Sequence, residues 1–414
     1  MASVKKPAGD GKTPALGVWM WPESLRLRGC GPVFDACRRA GVTDVFFLTK
    51  GLAGTAAFLS PLVPPMIPGQ DLMREALDAA HERGMRLHAW FTSASDERFK
   101  EAHPECGLFH YRKGRNRGIV SIASELYIRY MQDVLSDMLR RYDVDGVHLD
   151  YIRYNHLIYG WSEEDQARCA ARGVNVDRVR RLMDETFPAD APGGEAIFDA
   201  YRNGDKDALA LAESRRADVL AFARALCAPV RAEKPGATIS AALMPEGAYD
   251  DLAFSDLHYG QNYSDLSALM DAFLPMAYSS AYGKDSEWVG SVARGTVRYG
   301  LKTLIGVQAY EGGTGLTLPQ DMEAAAAVLG VGGVCLFREG AAVWAFLNGR
   351  SMSLLNPLAK TVTACRVAGP EGSLLLDARV EPGDWREIPL PFMPDTVQAY
   401  AGDEEVCALA IREG

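Results

Sequence analysis

Tyr142-Asp143-Val144-Asp145-Gly146-Val147-His148-Leu149-Asp150-Tyr151-Ile152-Arg153-Tyr154 is the most informative stretch of this chain. It has the pattern of one buried strand that ends on a carboxylate. Strand alternation puts Val147, Leu149 and Tyr151 on one face and Gly146, His148 and Asp150 on the other. A polar face inside an otherwise apolar strand suits the interior of a parallel barrel, whose strand ends open onto an active-site rim. Asp150 then stands where such a fold places its chemistry, with Arg153 and Tyr154 in the loop that follows. The plainer alternative is a structural strand whose Asp caps that loop.

Working outward, the same texture recurs along the chain. Apolar strand patterns are expected at 15–20, 43–49, 85–91, 238–244, 272–278, 302–310 and 332–337, besides the Asp150 strand. Helical periodicity lies between them, at 32–40, 71–83, 124–141, 207–233, 288–299 and 319–329. Strands alternating with helices predict an α/β fold, a (β/α)8 TIM barrel spanning 15–350. The polar stretch before 124 is read as a loop too long to be a mere connection. An insertion is expected at about 155–205 after strand four. Residues 1–14 read as a disordered start. From 351 to 414 the pattern changes to short alternating segments divided by Gly, Pro and Asp, a small C-terminal β-rich module. That module either binds carbohydrate or packs as a structural cap; Trp385 and Tyr400 are its candidate aromatic platform.

Composition bounds the partners. The 414 residues are 48% hydrophobic and 24% charged, an ordinary globular mixture. A net charge of −10 argues against nucleic acid and anionic membranes as partners. The eight cysteines are scattered without a C-x-x-C pair, so neither a zinc site nor a disulfide scaffold is indicated. No signal peptide or membrane-spanning stretch is visible, which reads as cytoplasmic as written, although a trimmed exported protein would look the same. The oligomeric state is not legible. Nucleotide-binding glycine loops and the G-x-S-x-G elbow are missing, so no cofactor is expected.

Asp145-Gly146-Val147-His148-Leu149-Asp150-Tyr151-Ile152-Arg153-Tyr154 resembles the signature of the glycosyl-hydrolase-like family 10. These are TIM-barrel proteins similar to the α-amylase superfamily. The likeness runs from about Gly17 to about Gly340 and includes Leu87-His88-Ala89-Trp90 and Leu274-Pro275-Met276-Ala277-Tyr278. It implies a glycoside hydrolase acting on an oligo- or polysaccharide, without naming the sugar. The resembled superfamily carries its nucleophile after strand four and its acid/base after strand five. By that analogy Asp150 is the nucleophile. Glu246, in Met244-Pro245-Glu246-Gly247, is the acid/base by position alone, and the reaction is retaining. Rival acids are Asp96, Glu311 and Glu339. Gly260-Gln261-Asn262-Tyr263 resembles a family segment with Asp in place of Asn262, a departure that removes a carboxylate.

A sugar site also needs hydroxyl partners and aromatic faces. Lys50, His88, Trp90, His148, Tyr151, Arg153, Tyr278, Gln308 and Arg338 stand at or near strand ends with suitable chemistry. Arg153 is expected to hold Asp150 ionised and lower its pKa, and His148 to hydrogen-bond it from below. Trp19 and Trp21 either wall the pocket or fill the core. Two other readings stand beside hydrolysis. One is a non-catalytic carbohydrate-binding barrel. The other is a metal-dependent hydrolase of sugar amides or esters, built on His88, His148 and Asp150; the expected metal-ligand set is not visible, so no metal is assigned.

Overall fold

The structure, a computed structural model, describes residues 15–189, 193–310 and 317–413. Its barrel strands are β1 (Ala15–Met20), β2 (Asp44–Lys50), β3 (Arg86–Thr92), β4 (Gly146–Asp150), β5 (Thr238–Leu243), β6 (Ala272–Pro275), β7 (Lys302–Gln308) and β8 (Gly333–Phe337). They close in the order β1-β8-β7-β6-β5-β4-β3-β2, each beside its neighbour in sequence. Pairing is parallel where β1 meets β2 and β8, and where β4 meets β5. This is the (β/α)8 barrel expected from the alternation. Tyr278 falls beyond β6, which ends at Pro275 with a further parallel bridge from Met276 to Gly306. The stretch read as a long loop holds a short helix, Glu97–Ala102, and a hairpin of Gly107–His110 with Gly114–Val120.

The chain divides into two compact units. The first comprises the described residues of 15–48, 72–88 and 274–413. Trp19 is fully buried there, with its ring against Phe46 and Phe337 and its edge on Gly306, where a Cβ would fall 2.8 Å away. It is core packing. His88 also belongs to the barrel's lower interior. It is the third residue of β3, it stacks on Phe46, and its Nε2 lies 3.0 Å from Asp44, the first residue of β2. The expectation that His88 stands at the sugar-binding end is therefore corrected: alternation gave its face, but not its height in the barrel. Asp44 also accepts from Arg86 and the Thr43 hydroxyl, at 2.8 and 2.7 Å.

The C-terminal module forms two four-stranded sheets. One contains Val343–Asn348, which pairs with Ser351–Leu355 and Ala408–Arg412, so the module begins ahead of the textural change at 351. Val362, Cys365, Leu354 and Val397 are among its buried core. Trp385 stacks on Phe346, and the Arg39 guanidinium lies over both rings. Part of its ring is thus covered by the protein, and Trp385 as a whole stays 40% exposed.

The second unit comprises 49–71 and 89–273. The insertion after β4 builds its own core from Leu157, Trp161, Val179, Met183 and Phe198 against Leu211 of the helix Lys206–Glu233. A polar brace ties this to the loop after Asp150. Tyr154 donates its hydroxyl to Asp218 (2.7 Å), and the Arg215 guanidinium lies 3.7 Å over the Tyr154 ring. Arg215 also donates to the carbonyls of His156, Tyr159 and His258.

Burial pushes the Asp44 carboxyl up, but hydrogen bonds from His88 and Arg86 overcome this and hold it well below the usual range. Asp44→Ala should therefore cost about 3–5 kcal/mol at neutral pH, the penalty for breaking a buried ion pair. A carboxylate with a depressed folded pKa stabilises above its unfolded value of about 3.9 and loses that contribution below it. Denaturant melts should show the wild-type advantage constant from pH 5 to 7 and shrinking below about pH 4.

Candidate active site

β4 consists of five buried residues, with Val147 and Leu149 supplying its apolar face. It follows the helix Glu125–Arg141, which starts sharply because the Ser124 hydroxyl accepts the Tyr127 N–H. The strand stops at Asp150 because Tyr151 turns into the left-handed region, φ +55°. A non-glycine residue there costs on the order of 1–3 kcal/mol and is found mainly where surrounding structure enforces it. Here the turn folds the Tyr151 N–H back onto Asp150 Oδ1 at 2.7 Å. The indole N–H of Trp90 donates to Oδ2 at 3.2 Å. The Asp150 carbonyl accepts from the Ser93 N–H at 2.8 Å, and Ser93 is held in turn by the Tyr127 hydroxyl. Both carboxylate oxygens thus accept N–H bonds within a site that leaves Asp150 6% exposed.

Burial pushes the Asp150 carboxyl up to about 6, opposed by the charge of Arg153 and the N–H groups of Tyr151 and Trp90. The expected lowering by Arg153 is thus outweighed. The Arg153 guanidinium is laid over the faces of Tyr151 and Tyr259, 4.9 and 5.4 Å from their centroids. Among the described residues its guanidinium makes a long hydrogen bond, 3.4 Å, to the Tyr154 carbonyl, and its buried Nε meets no acceptor. Its charge reaches Asp150 through space, and desolvation is the larger effect.

Glu246 sits in the short turn Pro245–Ala248 directly after β5, 9% exposed. Its neighbour is Tyr259, whose phenol is raised by burial and then by the Glu246 charge, while Arg153 acts in the opposite sense. Tyr259 therefore stands in the field of both Glu246 and Arg153, and its carbonyl accepts the Tyr154 N–H at 3.0 Å. No local motif marks Tyr259 in the sequence; it is found only through the fold.

The other candidates separate by partner. Lys50 is fully buried and ion-paired to Asp96 at 2.8 Å, so neither presents a free charge. Asp96 also caps the helix Glu97–Ala102 through the Phe99 N–H. Burial lowers the Lys50 ammonium, opposed by Asp96. His148 Nδ1 pairs with Ser240 Oγ at 2.9 Å, matching their opposition in the β4–β5 register. In the first unit, Gln308 accepts from the Ala281 N–H, Arg338 lies 3.8 Å over the Trp21 ring, and Tyr278 packs on Phe337. There too Glu339 is held by Arg28. Glu311 lies outside the described residues. Asn262 caps the helix Tyr263–Ser267 and donates to Asp256 at 3.0 Å. Among the described residues no group of three or more His, Cys, Asp or Glu side chains is arranged to hold a metal.

Residues 61–292 match the family described as glycosyl hydrolase-like 10. Among curated proteins the chain is similar to the glycosyl hydrolase YngK of Bacillus subtilis, 22% identical over 166 residues, covering 34% of this chain and 32% of that protein. It is also similar to the glycosyl hydrolase DigH of Escherichia coli K12, 30% identical over 121 residues, covering 22% of this chain and 27% of that protein. The matches thus span about a third or less of these relatives. Among solved structures it resembles the glycoside hydrolase domain of PgaB (BpsB) from Bordetella bronchiseptica. The TM-score is 0.61 at 14% identity, over 78% of this chain and 93% of that domain, a likeness of fold.

Two outcomes follow from this geometry. Trp90→Phe removes a donor to the ionised form of Asp150, so its pKa should rise further above about 6. A hydrogen bond to a charged group contributes about 1.5–3 kcal/mol, so the rise should be about one unit or more in a carboxyl-carbon NMR titration. Lys50→Met strands the Asp96 carboxylate and should lower stability by about 3–5 kcal/mol, with much of the loss recovered by adding Asp96→Asn.

Proposed function

The chain belongs to the glycosyl hydrolase-like 10 family, and on that premise we propose that it cleaves glycosidic bonds with Asp150 as nucleophile and Glu246 as general acid/base. The observation that carries this reading is the double N–H cradle of the buried Asp150 carboxylate. A nucleophile must be ionised when the sugar arrives. Two donors and the nearby Arg153 favour the anion, and a pKa of about 6 leaves it charged at neutral pH while burial keeps it poorly hydrated and reactive.

In the first step an Asp150 oxygen attacks the anomeric carbon as Glu246 gives its proton to the departing glycosidic oxygen, so the C–O bond breaks and an ester to the enzyme forms. In the second step Glu246 takes a proton from water, whose oxygen displaces Asp150 and restores both groups. Two inversions give net retention. We assign Tyr151 and Arg153 to the sugar; the guanidinium has donors to spare beside the reacting carboxylate.

A second reading has one observation in its favour. A carboxyl raised to about 6 also suits a general acid, which would reverse the roles. The pH dependence of kcat/KM separates the two, since it reports the free enzyme's groups. An ionised nucleophile gives an acidic limb with its midpoint near pH 6; a protonated Asp150 acid gives an alkaline limb there.

Hydrolysis of a broad panel of aryl glycosides and oligosaccharides by wild type and Asp150→Asn tests the proposal. Cleavage by the wild type and its loss in Asp150→Asn is the expected outcome. Glu246→Gln should lose about 10²–10⁴-fold on substrates with poor leaving groups. Undiminished turnover by Asp150→Asn would remove the basis of the mechanism.

A further inference from the structure

We propose that Gln261 and Tyr263 are positioning residues for Glu246, acting as a two-point clamp on the backbone just ahead of it. The inference rests on the role assigned to Glu246 and adds to it. β5 ends at Leu243, so the ladder no longer directs the chain where Glu246 is carried. At Met244 both backbone groups are instead taken by one neighbouring segment. The Met244 N–H donates to Gln261 Oε1 at 2.8 Å, and the Met244 carbonyl accepts the Tyr263 hydroxyl at 2.7 Å. Pro245 then fixes its own φ, which stiffens the link from the clamp to Glu246. On the far side Gly247 approaches the Tyr263 ring so closely that a Cβ would fall 2.2 Å from Cε1. Glu246 is thereby bracketed by contacts to the same tyrosine.

The clamp is itself rigidly held. Gln261 and Tyr263 are both fully buried. The Gln261 carbonyl accepts the Ser255 hydroxyl at 2.8 Å, and its N–H donates to the Ser255 carbonyl at 3.3 Å. Gly260 turns with φ +66°, and the Arg215 carbonyl stands 2.8 Å from where a Cβ would be. Only glycine meets both demands. Among the described residues the Gln261 Nε2 meets no acceptor. A buried donor left unsatisfied is a cost that an apolar residue would avoid, so the position keeps glutamine for its acceptor on Met244. The segment whose Asn262 lacks a carboxylate thus bears on acid catalysis through the atoms on either side of it.

The test separates acid assistance from general damage. Kinetics would compare two aryl glycosides of the sugar the wild type cleaves, one with a dinitrophenol leaving group that needs no proton and one with a poor leaving group that does. Tyr263→Phe keeps the ring and loses the hydroxyl; Gln261→Met keeps the volume and loses the acceptor. Misplacement of a catalytic group by about an ångström costs roughly 10²-fold, so each variant should lose about 10–100-fold in kcat/KM, which reports the bond-breaking first step, on the poor leaving group and little on the activated one. The alkaline limb of the pH profile should move in the same variants. Equal losses on both substrates, or none, would overturn the clamp. Glu246→Gln in the same assay guards the premise: without a leaving-group-dependent loss there, the assignment of Glu246 falls instead. Tyr263→Phe leaves packing intact, so the question stays answerable if Gln261→Met does not fold.

Discussion

The burial of one carboxylate is the constraint from which the rest of the site follows. Asp150 is drawn out of water at the end of a fully buried strand, and an isolated charge there would simply take up a proton. The charge of Arg153, and then two N–H donors from Tyr151 and Trp90, hold it near the boundary between charged and neutral. Each donor has a structural requirement of its own. Tyr151 must enter the left-handed region, and Trp90 must present its indole edge from the adjacent strand. Ser93 and Tyr127 secure the backbone on which both depend.

Within each unit, buried charges are paired. Lys50 with Asp96, Asp44 with His88 and Arg86, and Arg28 with Glu339 are pairs that compensate each other. A removed partner is costly in such pairs, whereas an intact pair adds little net stability. Arg153 differs. It rests on aromatic faces, its buried Nε meeting no acceptor among the described residues, close enough to act on Asp150 and Tyr259. The insertion supports this loop from behind through Arg215, Tyr154 and Asp218, which join it to the helix Lys206–Glu233.

The fold was largely legible in the sequence because period and punctuation are local. Alternation located all eight barrel strands to within a few residues, and Asp150 was legible as a carboxylate at a strand end. What eluded sequence reasoning was pairing. Lys50 and Asp96 are far apart in the chain, as are His88 and Asp44, and only the fold decides that they meet. The sign of the Asp150 shift was misjudged for the same reason: a nearby arginine is visible in sequence, whereas desolvation depends on everything packed around the group. The hairpin before Val120 was missed because its short strands carry Arg and Asn and lack alternation. Glu246 is proposed from position alone, and what holds its turn, Gln261 and Tyr263, comes from a segment whose sequence suggested only a lost acid.

Azide rescue of Asp150→Gly tests the central claim most directly. A small anion entering the space left by a nucleophile attacks the anomeric carbon from the nucleophile's own side. On a substrate that the wild type cleaves, Asp150→Gly should be inactive, and azide should restore turnover to a glycosyl azide of inverted anomeric configuration. A glycosyl azide of retained configuration would mean that Asp150 is the acid/base, and would contradict the account.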